Sequence, residues 1–267
     1  MAGSIATTPR AIARARIVAV LLLTLGAAQP VIGTSLWFAV PGVVAAATLG
    51  IWLRTDDAAE TKDAAVLVSL MYAIGLVPGI GLWPVGPLIA LLVTAGVSWR
   101  TGRLSKWREW LRVGQIDKLA WVTVAAVAVV SVVGLVVWQT LFNGELPDTY
   151  RDLAESVPWP VAAIGGLGFM ILNGGIEDSI FFGVLLTPIL QYFPQKWAIF
   201  LIALAFGAAH LHGVPNGLVG VILAGAWAVM LAYLRIRTKG MLATYLAHVV
   251  ADATIIAMLL PPLLLST

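Results

Sequence analysis

Nine apolar stretches, nearly free of charge, dominate this sequence, at about 17–34, 36–53, 64–82, 84–99, 119–142, 161–193, 197–212, 215–234 and 241–263. Lipid offers backbone N–H and C=O groups no partner, so apolar runs of this kind satisfy themselves as helices, about 20 residues per crossing. The expected fold is an all-α, polytopic transmembrane helix bundle of about eight to nine spans. Stretches 17–53 and 64–99 are too long for one crossing and are read as tight helical hairpins, broken at Gly33-Thr34-Ser35 and at Trp83-Pro84. Stretch 161–193 is long for a single helix, and Gly174-Gly175 is expected to break or bend it.

Charge sets the orientation. With the N-terminus in the cytoplasm, nine spans put Arg10, Arg14, Arg16, Arg54, Lys62, Lys118, Lys196 and the basic runs 100–112 and 235–239 on one side. Of the 16 basic residues only Arg151 falls on the other, as the positive-inside rule requires. The outer loop 143–159 carries Glu145, Asp148, Asp152 and Glu155, and Trp52, Trp99, Trp121, Trp159 and Trp197 sit at span ends as an interfacial belt. Segment 103–113, basic and Trp-rich, reads as a helix lying on the cytoplasmic leaflet, with docking of a partner or an anionic lipid as the alternative. Arg10 to Arg16 followed by an apolar run has the shape of a signal peptide, but the run continues, and a retained first span is expected.

The domain plan is a cytoplasmic tail at 1–16, five generic spans at 17–142 with a basic loop at 100–118, and a polar-lined core at 160–263. The net charge of +3 suits topology signals rather than nucleic-acid binding, and the absence of cysteine excludes disulfides, thiol nucleophiles, Cys-zinc sites and prenylation of the chain itself.

Among 13 acidic residues, Glu177, Asp178 and Asp252 alone fall inside the expected spans, and His210, His212 and His248 lie in or at the end of the spans that follow Glu177. A charge at bilayer depth costs roughly 2.5–3.5 kcal/mol even on insertion scales, so this cluster marks the place to look for function. Neighbours on a helix point about 100° apart, so Glu177 and Asp178 cannot share one direction. His210 follows Phe206 at i+4, and Asp252 follows His248 at i+4, so three helices each offer a polar face to a bundle interior. A buried carboxylate suits a general base, a neighbouring His steers a water, and a second His with a hydrogen-bonding residue one turn away can stabilise an oxyanion. The same Glu/His/His set could instead hold zinc and activate water through the metal. Gly220, Ala224 and Ala228 form a small-residue ridge that reads as helix packing. His212, beside His210 at a span end, reads as a bystander.

Three motifs in register, Glu177-Asp-Ser-Ile-Phe-Phe182, Phe206-Gly-Ala-Ala-His210 and His248-Val-Val-Ala-Asp252, resemble those of the CPBP family of intramembrane proteases. That family includes the CAAX prenyl endopeptidases and the bacteriocin-processing and self-immunity proteins. Its pattern is Glu-Glu-x-x-x-Arg, Phe-x-x-x-His and His-x-x-x-Asn/Asp, and the resemblance covers roughly 160–255. It implies an intramembrane endopeptidase in which Glu177 activates water with His210 as helper, while His248 and Asp252 bind the oxyanion and orient the scissile carbonyl. Asp178 and Phe206 would support substrate or scaffold. The reaction it implies runs on glutamate without a resident cofactor, with zinc on Glu177, His210 and His248 as the alternative. Partners are the membrane and a peptide or protein substrate, in a bacterial or archaeal plasma membrane.

Two positions depart from the pattern: Asp178 stands for the second Glu, and Phe182 for the Arg. No Lys or Arg is available within the last four spans, so Asp178 needs another partner, for which Asn173, one turn back, is the candidate. The departures keep a second class open, a catalytically silent scaffold that binds a membrane partner. A proton-coupled transporter is the third, since intramembrane Glu, Asp and His also serve as relays.

Overall fold

The structure, a computed structural model, describes residues 9–32, 35–53, 59–142, 152 and 156–265, with Ile32 and residues 259–265 described through their backbone alone. Each of the nine apolar stretches forms a helix over most of its described length, and no strand occurs among the described residues. In chain order the helices are α1 (Pro9–Ile32), α2 (Leu36–Trp52), α3 (Ala59–Gly75), α4 (Val85–Arg100), the single turn α5 (Leu104–Trp107) and α6 (Lys118–Phe142). The core region follows with α7 (Trp159–Glu177), a π-helical segment Asp178–Leu185, α8 (Leu186–Tyr192), α9 (Gln195–Ala209), α10 (Gly217–Thr238) and α11 (Leu242–Leu265). Gly33-Thr34, Arg54, Glu145, Asp148, Arg151 and Glu155 lie outside the described residues.

Among the described residues, four helices are long and apolar enough to cross a membrane: Pro9–Val31, Lys118–Phe142, Trp159–Tyr192 and Gly217–Thr238; α2, α4 and Leu242–Met258 of α11 are shorter apolar helices. Large apolar side chains such as Trp37, Ile51, Val129, Ile164 and Ile222 face outward, as they do where lipid is the solvent. Trp52, Trp99, Trp121, Trp159 and Trp197 are all exposed at helix ends.

Small residues set how closely the helices approach. A Cβ on Gly207 of α9 would meet the Val221 carbonyl of α10, and Gly225 lies against Ala203 and Gly207. Gly220, Ala224 and Ala228 are buried on the same helix, and α9 and α10 bring their backbones together at Gly207 and Gly225. Helices α6 and α7 both pack on α11, whereas α6 and α7 scarcely touch each other.

The helix does not break at Gly174-Gly175. The α-helix runs through both glycines to Glu177, and the irregularity follows as the π segment. Gly174 serves packing: a Cβ there would sit 3.1 Å from Cγ of His248, so the glycine lets α11 bring its imidazole against α7. π turns inside α-helices concentrate at functional sites, and this one begins at Asp178.

Segment 103–113 also differs from expectation. Only Leu104–Trp107 is helical, and Trp107 and Trp110 are buried instead of lying in the interface. Their burial has a polar cause. Asp63, placed by sequence in a loop but buried in α3, accepts from Ser98 Oγ, Arg103 Nε and Trp107 Nε1, each at 2.9 Å. A buried carboxylate without such donors would be costly. Past Trp110, Gln115 N donates to the Thr238 carbonyl and Met241 N to that of Arg112, while Arg112 Nε donates to the Lys239 carbonyl. Arg237 donates to both oxygens of Asp117, and that hydrogen bonding holds the Asp117 carboxyl below its ordinary range. The basic loop is thus stitched to the ends of α3, α4 and α10.

Candidate active site

Helix α7 and its π continuation place Glu177 and Asp178 side by side, and α11 supplies His248 and Asp252 one turn apart. Asp178 is fully buried, and its Oδ1 accepts from His248 Nδ1 at 2.8 Å. A carboxylate only accepts, so Nδ1 carries the proton of this bond. His248 Nε2 points the other way, 3.5 Å from Glu177 Oε2 and 3.9 Å from Asp252 Oδ1. The contact to Glu177 is too long for a good hydrogen bond, and Glu177 Oε2 makes none within the protein although it is buried.

Asn173 does not pair with Asp178 as expected. Its Nδ2 donates to both oxygens of Asp252, at 3.3 and 3.2 Å, and its Oδ1 accepts from Trp83 Nε1 at 2.6 Å. The reason is helical geometry. Asn173 lies four residues before Glu177, on the face that α11 covers, whereas Asp178 turns about 100° further round toward His248. Trp83, read from sequence as a loop breaker, therefore reaches into the site from the connection between α3 and α4.

Aromatic rings fill the space between the histidines. Phe206 is fully buried, with its ring centroid 4.5 Å from that of His210 and 6.4 Å from that of His248. Phe182, where the family pattern has Arg, is fully buried and packs on Phe206 at 5.6 Å. Trp227 of α10 meets the His248 ring edge-on at 4.7 Å, a geometry favoured by the ring quadrupole. His210 Nδ1 donates to the Phe206 carbonyl at 2.9 Å, which leaves Nε2 as an acceptor.

One cavity of about 840 Å³ is lined by Glu177, His210, His248 and Asp252 together with Asn173 and Trp227. The remaining lining is largely apolar. The structure therefore brings Glu177, Asp178, His248 and Asp252 into contact, with Asp178 behind His248 and away from the cavity. His210 reaches the same cavity without an ion-pair contact to Glu177. His212 is exposed near its edge.

Among the described residues, no three His, Asp or Glu come together as a group that could hold a metal ion. Of the alternative zinc set, His248 Nε2 lies 3.5 Å from Glu177 Oε2, His210 borders the same cavity, and His248 Nδ1 is engaged by Asp178.

Comparison with models of protein families matches residues 158–254 to the type II CAAX prenyl endopeptidase Rce1-like family, which supports assignment of this region to the CPBP family. Nothing among curated proteins or solved structures matches the chain. The matched segment runs from the start of α7 into α11 and contains the polar residues of the cavity other than Gln29 of α1, Trp83 of the α3–α4 connection and Ser131 of α6.

Proposed function

We propose that this integral membrane protein is an intramembrane endopeptidase that hydrolyses a peptide bond with water activated by Glu177. The observation that carries the reading is convergence: Glu177, His210, His248 and Asp252, from three separate segments, border one largely apolar cavity. Glu177 Oε2 is buried and has unused acceptor capacity. It takes a proton from the attacking water, and the hydroxide adds to the scissile carbonyl carbon. Negative charge then develops on the carbonyl oxygen. His248, held through Nδ1 by Asp178, presents Nε2 on the side of Glu177 and, when protonated there, donates to that oxyanion. Collapse breaks the C–N bond, and the departing amine takes the proton back from Glu177.

His210 and Asp252 have supporting parts in this scheme. His210 accepts at Nε2 and orients the water, since its other nitrogen is committed to the Phe206 carbonyl. Asp252, anchored by Asn173, keeps His248 Nε2 directed into the site. Asp178 is a positioning residue for His248 rather than a bystander. The His248 partnership also supplies what the missing Arg at position 182 would otherwise provide, which weakens the motive for a silent scaffold. The site is taken to work without a resident metal, in the plasma membrane of a bacterium or an archaeon, with the N-terminus in the cytoplasm.

The test is cleavage by purified protein in detergent or liposomes. Glu177→Gln is expected to abolish it and His248→Ala to lower it severely, while thermal unfolding stays close to that of the unaltered protein. Loss of one oxyanion donor alone costs on the order of 10²–10³ in kcat, so a residual rate is expected for His248→Ala before Glu177→Gln. Full cleavage by Glu177→Gln sinks this mechanism, whereas no cleavage even by the unaltered protein leaves the scaffold class.

A further inference from the structure

On the face of the bundle that carries the basic residues, each described carboxylate already has a cation. Asp63 meets Arg103 at 2.8 Å, Glu60 and Glu109 meet Lys106 at 3.9 and 3.3 Å, and Asp117 meets Arg237 at 3.0 Å. Arg235 is left over. It lies in the last turn of α10, is only 8 % exposed, and its Nε is buried without a hydrogen-bond partner. Among the described residues it forms no ion pair, and the charge that acts on it, that of Arg112, has the same sign. A guanidinium stays charged in proteins. A buried charge without a counter-charge is costly, and here the fold brings up a second cation instead of an anion.

Arg112 is held in that place from several sides. Its Nε donates to the Lys239 carbonyl at 2.6 Å, and its own carbonyl accepts from Met241 N at 2.8 Å. The loop lies so close to the end of α10 that a Cβ on Gly114 would meet the Thr238 carbonyl and Gly240. With Nε spent on the backbone, the Nη groups of this exposed side chain make no further bond among the described residues. Two guanidinium groups, one buried and one exposed, are thus fixed beside each other with N–H donors to spare.

The surroundings select the kind of anion. Leu111 and Val113, on either side of Arg112, are exposed although they lie in a loop. Leu119 and Trp121, at the start of α6, are exposed as well, and the Arg237–Asp117 pair ties that start to the end of α10. Guanidinium groups take phosphate through paired N–H donors. Large apolar side chains next to them suit a ligand whose phosphate continues into apolar chains.

We propose that Arg235 and Arg112 hold the phosphate of an acidic phospholipid at the basic face, with its acyl chains toward Leu111 and Val113. None of these residues lines the cavity, and the site does not depend on the hydrolytic reading.

The test is thermal unfolding of the full chain in detergent micelles doped with phosphatidylcholine or with phosphatidylglycerol. The unaltered protein is expected to unfold a few degrees higher with phosphatidylglycerol, the gain growing with its fraction as binding to the folded state requires. Arg235→Met keeps the apolar stem and removes the charge. It should unfold no lower than the unaltered chain in phosphatidylcholine and lose the gain from phosphatidylglycerol. Arg112→Gln, at an exposed position, should lose most of that gain too. Lys196→Met removes the same charge from the exposed start of α9 and should keep it whole. A full gain in both arginine variants, or an equal loss in Lys196→Met, overturns the site and leaves only general surface charge. Inorganic phosphate added to the phosphatidylcholine micelles is expected to change nothing. The same gain from it overturns the lipid assignment and makes the ligand a soluble phosphate.

Discussion

Asp178 owes its state to a histidine 70 residues further along the chain. It is fully buried, one of its oxygens is bonded to His248 Nδ1, and the other has no partner within the protein. Asp178→Asn keeps the shape but replaces an acceptor with a group that can present N–H to Nδ1, so the imidazole loses the bond that aims Nε2 at the cavity. The expected outcome is a fall in kcat by roughly 10²–10⁴ with little change in KM, read in the same cleavage assay, and partial recovery in Asp178→Glu. A merely structural role would instead lower the folded fraction and leave the rate per folded molecule intact. The candidate residues themselves were legible in sequence, because a Glu, an Asp or a His inside an apolar stretch stands out against its neighbours. Their pairing was not. Adjacent residues on a helix diverge, and whether Asn173 serves Asp178 or Asp252 depends on how α11 is rotated against α7, which no local pattern encodes. Trp83 was invisible for the same reason: its indole acts across 90 positions on Asn173, and in sequence it resembles any Trp-Pro turn.

Between elements, one close fit lies under the π segment. A Cβ on Gly183 would come within 2.7 Å of the Trp110 ring, which is itself buried and offers no flexible end to yield. The basic loop and the segment bearing Asp178 are therefore keyed together. Gly183→Ala is expected to destabilise the protein by about 1–3 kcal/mol through overpacking. The added change Trp110→Leu should recover a large part of that loss, and a double-mutant cycle on thermal unfolding in detergent measures the coupling. Equal losses in the two single variants and simple addition in the double would show that the contact is not shared. Hydropathy alone located the nine helices, because the cost of exposing backbone to lipid acts on each stretch separately. It could not locate the π turn, whose cause is a fit between side chains, nor the true character of segment 103–113. Trp-rich and basic composition describes an interfacial helix and a buried clamp equally well until Asp63 is seen beneath it accepting three hydrogen bonds.

For the whole molecule, helix length is the telling quantity. Helix α2 has 17 residues, α4 has 16 and α9 has 15. At about 1.5 Å per residue these reach roughly 23–26 Å, against a hydrocarbon core of about 30 Å. The long helices α6 and α10, of 25 and 22 residues, share the bundle with them. Liposomes of graded acyl length should therefore show an optimum: unfolding temperature and cleavage rate are expected to be highest in short-chain phosphatidylcholine and to decline as the chains lengthen. A flat response across the series would mean that the short helices find their match by other means. Fractions of a kcal/mol per ångström of mismatch are small for one helix but act on several here. Such a protein dimples the sheet of lipid around it, and the dimple has a life of its own: neighbours with equally short crossings drift into it, and long ones are turned away before any chemistry begins.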